Sequence, residues 1–115
     1  MHEMGIANSI LDGVRSESER RNGAKVVKVG VRVGELAAVD PESLRFCFEV
    51  LVAGSPFEPL ALDLEVSPRR RRCLTCSEVF AAAEAQMPCP TCGSGVSEFA
   101  GGDELEFAFM EIEEP

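Results

Sequence analysis

Four of the five cysteines fall in two short pairs, Cys73-Leu74-Thr75-Cys76 and Cys89-Pro90-Thr91-Cys92, with twelve residues between the pairs. A Cys-x-x-Cys knuckle turns the chain back so that both sulfurs face one point. Two knuckles supply the four soft ligands that tetrahedral zinc requires. Four thiolates leave no open coordination position, so a metal held there is expected to be structural rather than catalytic. Pro90 fixes the backbone inside the second knuckle, and Gly93 after it tolerates a positive φ. Two alternatives stay open for the same four residues: disulfide pairing and a rubredoxin-like iron centre. Cys47 is left over, between Phe46 and Phe48, and reads as a small core hydrophobe rather than a reactive thiol.

The one histidine is His2. A bulky second residue keeps the initiator methionine in place. Met1-His2-Glu3 then offers an α-amine, backbone amides and an imidazole within one short chelate, with the amine titrating near about pH 8 and the imidazole near about 6.5. Nitrogen ligands in a plane suit Ni²⁺ or Cu²⁺, and Glu3 adds its amide or carboxylate. Taken alone, the tripeptide reads first as a helix start with an incidental histidine and only second as a metal site. Asp40 reads first as a helix N-cap and second as a carboxylate near a metal.

Composition removes other classes. With 11 basic and 20 acidic side chains the formal charge is −9, which opposes nucleic-acid binding as the main activity. No nucleophile–base pair and no open metal site is visible, so the chain is not expected to be an enzyme. No apolar run reaches the ~20 residues of a membrane helix, and the start has neither a basic region nor an apolar stretch of the secretory kind. A cytoplasmic setting follows as an expectation, one in which thiols stay available to metal. Arg69–Arg72, directly before Cys73, reads as a solvated strand end offsetting a charged metal centre. Its alternatives are a docking patch for an acidic partner and, more weakly, a nucleic-acid contact.

The elements that must position these residues are readable from periodicity. Residues 3–22 form an amphipathic helix with Met4, Ala7, Ile10, Leu11 and Val14 on one face and Gly23 at C′. Residues 25–33 alternate as a strand, with Val27, Val29, Val31 and Val33 inward. Asp40-Pro41 opens a second helix carrying Leu44, Cys47, Phe48 and Leu51 on one face, and Gly54-Ser55-Pro56 stops it. Leu60, Leu62, Leu64 and Val66 mark a second strand. Leu105, Phe107 and Phe109 mark a third, with a bulge or strand end expected near Phe109-Met110. Between the last two lies an insert too poor in large apolar residues to hold a core unaided, for which a structural metal is the usual remedy.

These pieces together resemble the HypA/HybF family of hydrogenase nickel-incorporation accessory proteins. The resemblance rests on Met1-His2-Glu3-Met4, Val31-Arg32-Val33-Gly34-Glu35-Leu36, Asp40 through Glu49, the two knuckles and the acidic closing strand, and it covers essentially the whole chain. It implies an α+β fold: two helices on a three-stranded sheet, with a four-cysteine zinc-ribbon subdomain inserted before the last strand. The implied domains are a nickel-binding unit of residues 1–67 plus 102–115 and a zinc ribbon of residues 68–101. It further implies a nickel metallochaperone for [NiFe]-hydrogenase maturation, with transported Ni²⁺ at His2, Met1 and Glu3, Asp40 as a neighbouring carboxylate, and structural Zn²⁺ at Cys73, Cys76, Cys89 and Cys92. The implied partners are a GTPase of the HypB type and the hydrogenase large subunit, with neither nucleic acid nor membrane; a homodimer is compatible with it. One departure stands out: some relatives carry histidines beside the knuckles and this chain has none, so a histidine-based ligand switch at zinc is not available here, which counts against a pH-sensing or urease-linked role. The rival functions are a rubredoxin-like electron-transfer module and a zinc-ribbon adaptor that binds protein or nucleic acid through Arg69–Arg72.

Overall fold

A computed structural model describes residues 3–113. The first helix, α1, spans Glu3–Arg20 and buries Ile6, Ala7, Ile10, Leu11 and Val14. Met4, expected on the buried face, is exposed. It and Ile6 lie on opposite margins of the apolar stripe, and the Ile6 margin is the one turned toward the sheet, where it shares a cleft with Val31 and Leu105. The helix closes with the Gly23 N–H on the Ser18 carbonyl at 2.8 Å and the Asn22 N–H on the Glu19 carbonyl at 3.2 Å. That pattern makes Asn22, at φ 61°, the left-handed C′ residue, one position before the glycine expected there.

Strand β1 (Val26–Gly34) leads into α2 (Pro41–Val52), which crosses over to β2 (Ala61–Ser67) parallel to β1. Three short strands follow: β3 (Arg70–Cys73), β4 (Val79–Ala81) and β5 (Ser97–Gly101). The last strand, β6 (Leu105–Ile112), returns antiparallel to β1, giving a sheet of order β2-β1-β6. Both helices cover one face of this sheet, around Val29, Val31, Val33, Leu44 and Phe48. Thus the fold is α+β, two helices on a three-stranded sheet. The insert adds a second sheet of order β4-β3-β5, with its own buried cluster of Cys73, Phe80, Ala82 and Cys89.

Two bulges shift the expected alternation. β1 changes register between Val26 and Lys28, so Val26 is buried in place of Val27. β6 changes register opposite Gly30 and Val31, leaving Ala108 as the extra residue. Phe107 and Leu105 stay opposite the inward Val31 and Val33, but Phe109 falls opposite Gly30 and leaves the helix-covered face. Met110, opposite Val29, takes its inward place. Gly30 lets the Phe109 ring lie directly on the strand; a Cβ there would force the ring to move.

The two sheets are joined where β2 passes into β3 and β5 passes into β6. Three main-chain bonds close this junction: Gly34 N–H to the Glu104 carbonyl at 2.7 Å, Glu35 N–H to Ser67 at 2.8 Å and Leu36 N–H to Gly102 at 2.6 Å. The backbone of Gly102 occupies the space a Cβ on Gly34 would need. Ser67 is buried, although alternation continued through Val66 would have placed the valine inward; Val66 is half exposed. The Ser67 hydroxyl is instead donated to the Glu104 carboxylate, which also accepts from the Gly102 N–H at 3.1 Å and from Arg70 Nη2 at 3.3 Å.

Candidate metal centres

The four paired cysteines meet at one point. One ligand atom from each of Cys73, Cys76, Cys89 and Cys92 lies within 4.8 Å of every other. Cys73 and Cys92 sulfurs are 3.5 Å apart, and those of Cys76 and Cys89 are 3.7 Å apart. Four sulfurs about 2.3 Å from a common tetrahedral ion stand about 3.8 Å from one another, so the cage has the size of that ion. All five cysteines are free thiols, which removes the disulfide alternative.

The cage is built by one local design used twice. In the first knuckle the Cys73 N–H bonds the Glu78 carbonyl at 2.8 Å, and the Ser77 N–H bonds the Cys73 carbonyl at 2.9 Å. In the second, Cys89 N–H bonds Ser94 at 2.9 Å and Gly93 N–H bonds Cys89 at 2.8 Å. The spacings match residue for residue, and so do the left-handed positions, Ser77 at φ 68° and Gly93 at φ 79°. The sequence exposes only the glycine; Ser77 does the same task with a side chain. Thr75 Oγ1 and Ser94 Oγ, 2.9 Å apart, tie the knuckles together.

Backbone donors aim at the sulfurs. Cys73 Sγ accepts from the N–H groups of Cys76 and Thr75, each at 3.4 Å, and Cys89 Sγ accepts from Thr91 N–H at 3.4 Å. The Cys76 N–H, followed by that of Thr75, brings the Cys73 thiol down to about 6, and the Cys92 and Thr91 donors lower Cys89 in the same way. Cys76 goes up to about 12: the Glu78 N–H pulls it down, but desolvation and its sulfur neighbours outweigh that donor. Cys92 is raised too, its sulfur neighbours and desolvation together outweighing the Ser94 N–H. Four thiols this close cannot all ionise without a cation between them. The donor set therefore fits a soft divalent ion.

Arg69–Arg72 serve the frame around this cage. Arg69 donates to the carbonyls of Ala82 at 3.1 Å and Ala83 at 2.7 Å. Arg70 reaches Glu104, Arg71 donates to the Ser97 hydroxyl and carbonyl at 2.7 Å each, and Arg72 pairs with Glu98 at 3.5 Å. Each guanidinium is committed within the chain, so this run is not the unpartnered basic patch that docking or nucleic-acid contact would use.

The second candidate centre lies at the end of the α+β unit that carries the junction: β1 leaves the junction at Gly34 and leads to Asp40, and the first turns of α1 pack beside Leu105. Glu3 Oε2 accepts from the Asp40 N–H at 3.2 Å, which fastens the start of α1 to the start of α2. Asp40 is an N-cap: Oδ1 accepts from the N–H groups of Glu42 at 3.1 Å and Ser43 at 3.4 Å, and Oδ2 accepts from the Ser43 hydroxyl at 3.1 Å. Glu3 and Asp40 are thus brought together, whereas Met1 and His2 lie outside the described residues. Cys47 is half-buried against the core of the sheet and helices, apart from either centre. The junction pair Ser67 and Glu104 went unnoticed in the sequence, which offers no motif for it.

Three comparisons place this arrangement among known proteins. The family model described as "Hydrogenase/urease nickel incorporation, metallochaperone, hypA" matches residues 1–112. A hydrogenase maturation factor HypA of Dechloromonas aromatica is 35% identical over 113 residues, covering 98% of this chain and all of the relative. That of Azotobacter chroococcum is 38% identical with the same coverage. Among solved structures, the solution structure of the Ni metallochaperone HypA from Helicobacter pylori superposes with a TM-score of 0.66 at 24% identity, over 97% of each chain. A second HypA solution structure gives 0.71 at 24% identity, over 98% of this chain and 97% of the other.

Proposed function

The chain belongs to the HypA family of hydrogenase/urease nickel-incorporation metallochaperones, which are not enzymes, and from that membership we propose that it binds Ni(II) at the start of its chain and hands it on for [NiFe]-hydrogenase maturation. His2 supplies the imidazole, Met1 the amine and Glu3 an amide or carboxylate, and Asp40, held against Glu3, is the neighbouring carboxylate. The observation that supports this reading is the Glu3–Asp40 contact, which holds Glu3, the residue that follows Met1-His2 in the chain, against a second acidic residue. Zn(II), held by Cys73, Cys76, Cys89 and Cys92, would cross-link the two knuckles and make the insert fold as a zinc ribbon of residues 68–101. The nickel-binding unit is then residues 1–67 plus 102–115. A GTPase of the HypB type and the hydrogenase large subunit are the proposed partners, in the cytoplasm; among the described residues no helix is long and apolar enough to cross a membrane.

Ligand types explain how cargo is both held and released. Nitrogen donors grip Ni²⁺ only when deprotonated, so binding competes with protons. An imidazole ligand is the donor that physiological changes of pH protonate most readily, so protonation at His2 would open the site. Acid should release nickel before it disrupts four thiolates. The test is a nickel titration of untagged protein between pH 5 and 8, beside His2→Ala. A fall in affinity on acidification, and at least a tenfold loss in the variant, supports the reading. Equal affinity in the two proteins refutes it.

A further inference from the structure

β6 is an edge strand. It pairs with β1 on one side, and among the described residues nothing pairs with its other side. Its exposed residues include Leu105, Phe107 and Phe109. A cleft of about 470 Å³ runs between it and α1, lined on the helix by Gly13, Ser16 and Arg20 and on the strand by Phe107, Met110 and Ile112. An open row of backbone donors and acceptors beside an apolar groove is the surface to which an extended peptide adds as another strand.

Charge decides the occupant. Residues 104–113 carry four glutamates and no basic residue. Glu104 is committed to Arg70, and Glu106 to Arg32 at 2.8 Å. Glu111 and Glu113 are exposed and carry no ion pair among the described residues. A second copy is a poor fit. Antiparallel β6–β6 pairing that sets Phe107 opposite Met110 and Leu105 opposite Ile112 also sets Glu106 opposite Glu111 and Glu104 opposite Glu113, on both sides of the dyad. Like charges directly opposite each other destabilise a sheet. An incoming strand that alternates apolar and basic residues meets the groove with one face and the glutamates with the other.

We propose that the free edge of β6 is a docking site for an extended segment of a partner protein that alternates apolar with lysine or arginine residues. The probes are two capped octapeptides, one of four Val-Lys repeats and one of four Val-Glu repeats, added to isotope-labelled, zinc-loaded full chain and followed by amide NMR. The lysine peptide should shift and protect amides of 105–112, and the glutamate peptide should bind at least about tenfold more weakly, the effect of two or three cross-strand charge pairs. Glu111→Lys, an exposed change whose fold is checked in the same spectra, should erase most of that preference. Equal binding of the two peptides, shifts confined to β2 or the β3–β5 sheet, or a preference unchanged in Glu111→Lys overturns the proposal. So does concentration-dependent protection of β6 without peptide, which would assign the edge to a second copy.

Discussion

Replacing Glu104 with glutamine should loosen the junction between the two sheets. The Ser67 hydroxyl, then the Gly102 N–H, hold this carboxyl well below its usual range, with Arg70 adding to them, and bring it from 4.5 down to about 2. At ~1.4 kcal/mol per pH unit the drop sets a ceiling of about 3 kcal/mol on what the charged form contributes. The side chains of Arg70 and Glu104 remain 33% and 19% exposed, so solvent screens part of it, and a loss of about 1.5–2 kcal/mol is expected at pH 7. Because the folded-state value lies below the unfolded one, the stabilisation is complete above about pH 4.5 and disappears as pH falls toward 2. Urea unfolding of zinc-loaded wild type and Glu104→Gln, followed by far-UV circular dichroism from pH 7 to pH 2.5, measures it. Acid also protonates the cysteines, but in both proteins, so that loss cancels in the difference. A gap below about 0.5 kcal/mol at pH 7, or one that persists undiminished at pH 2.5, refutes the reasoning.

Asp40→Asn should leave stability within a few tenths of a kcal/mol, since asparagine caps as well as aspartate, whereas Asp40→Ala should cost about 1 kcal/mol in thermal unfolding. If Asp40→Asn nevertheless weakens nickel binding, the carboxylate contributes to the metal beyond its capping. Stripping metal with a strong chelator should collapse amide dispersion in β3–β5 while β1 and α1 keep theirs, because Cys73 and Cys89 belong to the buried cluster of the insert alone. Retained dispersion in the stripped protein would count against a structural metal. Gly34→Ala forces a Cβ into the Gly102 backbone and should lower the melting temperature by about 10 °C, from a loss of about 2 kcal/mol.

The α+β frame was legible because its elements are long and strongly patterned. α1 and β1 carry apolar residues at helical and strand periods over 18 and 9 residues, and Asp40-Pro41 announces α2. The cysteine cage was legible from spacing alone. Periodicity fails where an element is short or interrupted. β3, β4 and β5 have 4, 3 and 5 residues, and β3 is three arginines and a cysteine, so no alternation of polarity exists to read. Arg71 lies beside Phe80 because Ser97 satisfies its guanidinium, a contact that depends on pairing across the sheet. The bulges at Val27 and Ala108 move Val26 and Met110 inward while leaving local composition apolar, so they are invisible without the partner strand. Ser67 and Glu104 are 37 residues apart and acquire meaning only when two chain crossings meet.

Fastening Glu3 to Asp40 also sets the electrostatic character of that corner. The amino ends of two helices, α1 and α2, converge there, and each carries a partial positive charge from its aligned peptide dipoles, worth ~0.3–1 kcal/mol against a nearby cation. Glu3 Oε2 takes the Asp40 N–H and Asp40 caps Glu42 and Ser43, yet both carboxylates keep their full charge, which more than offsets the half-charges of the two helix ends. The corner is therefore left attractive to a cation through charge alone. Such a field gathers a cation without adding a single ligand.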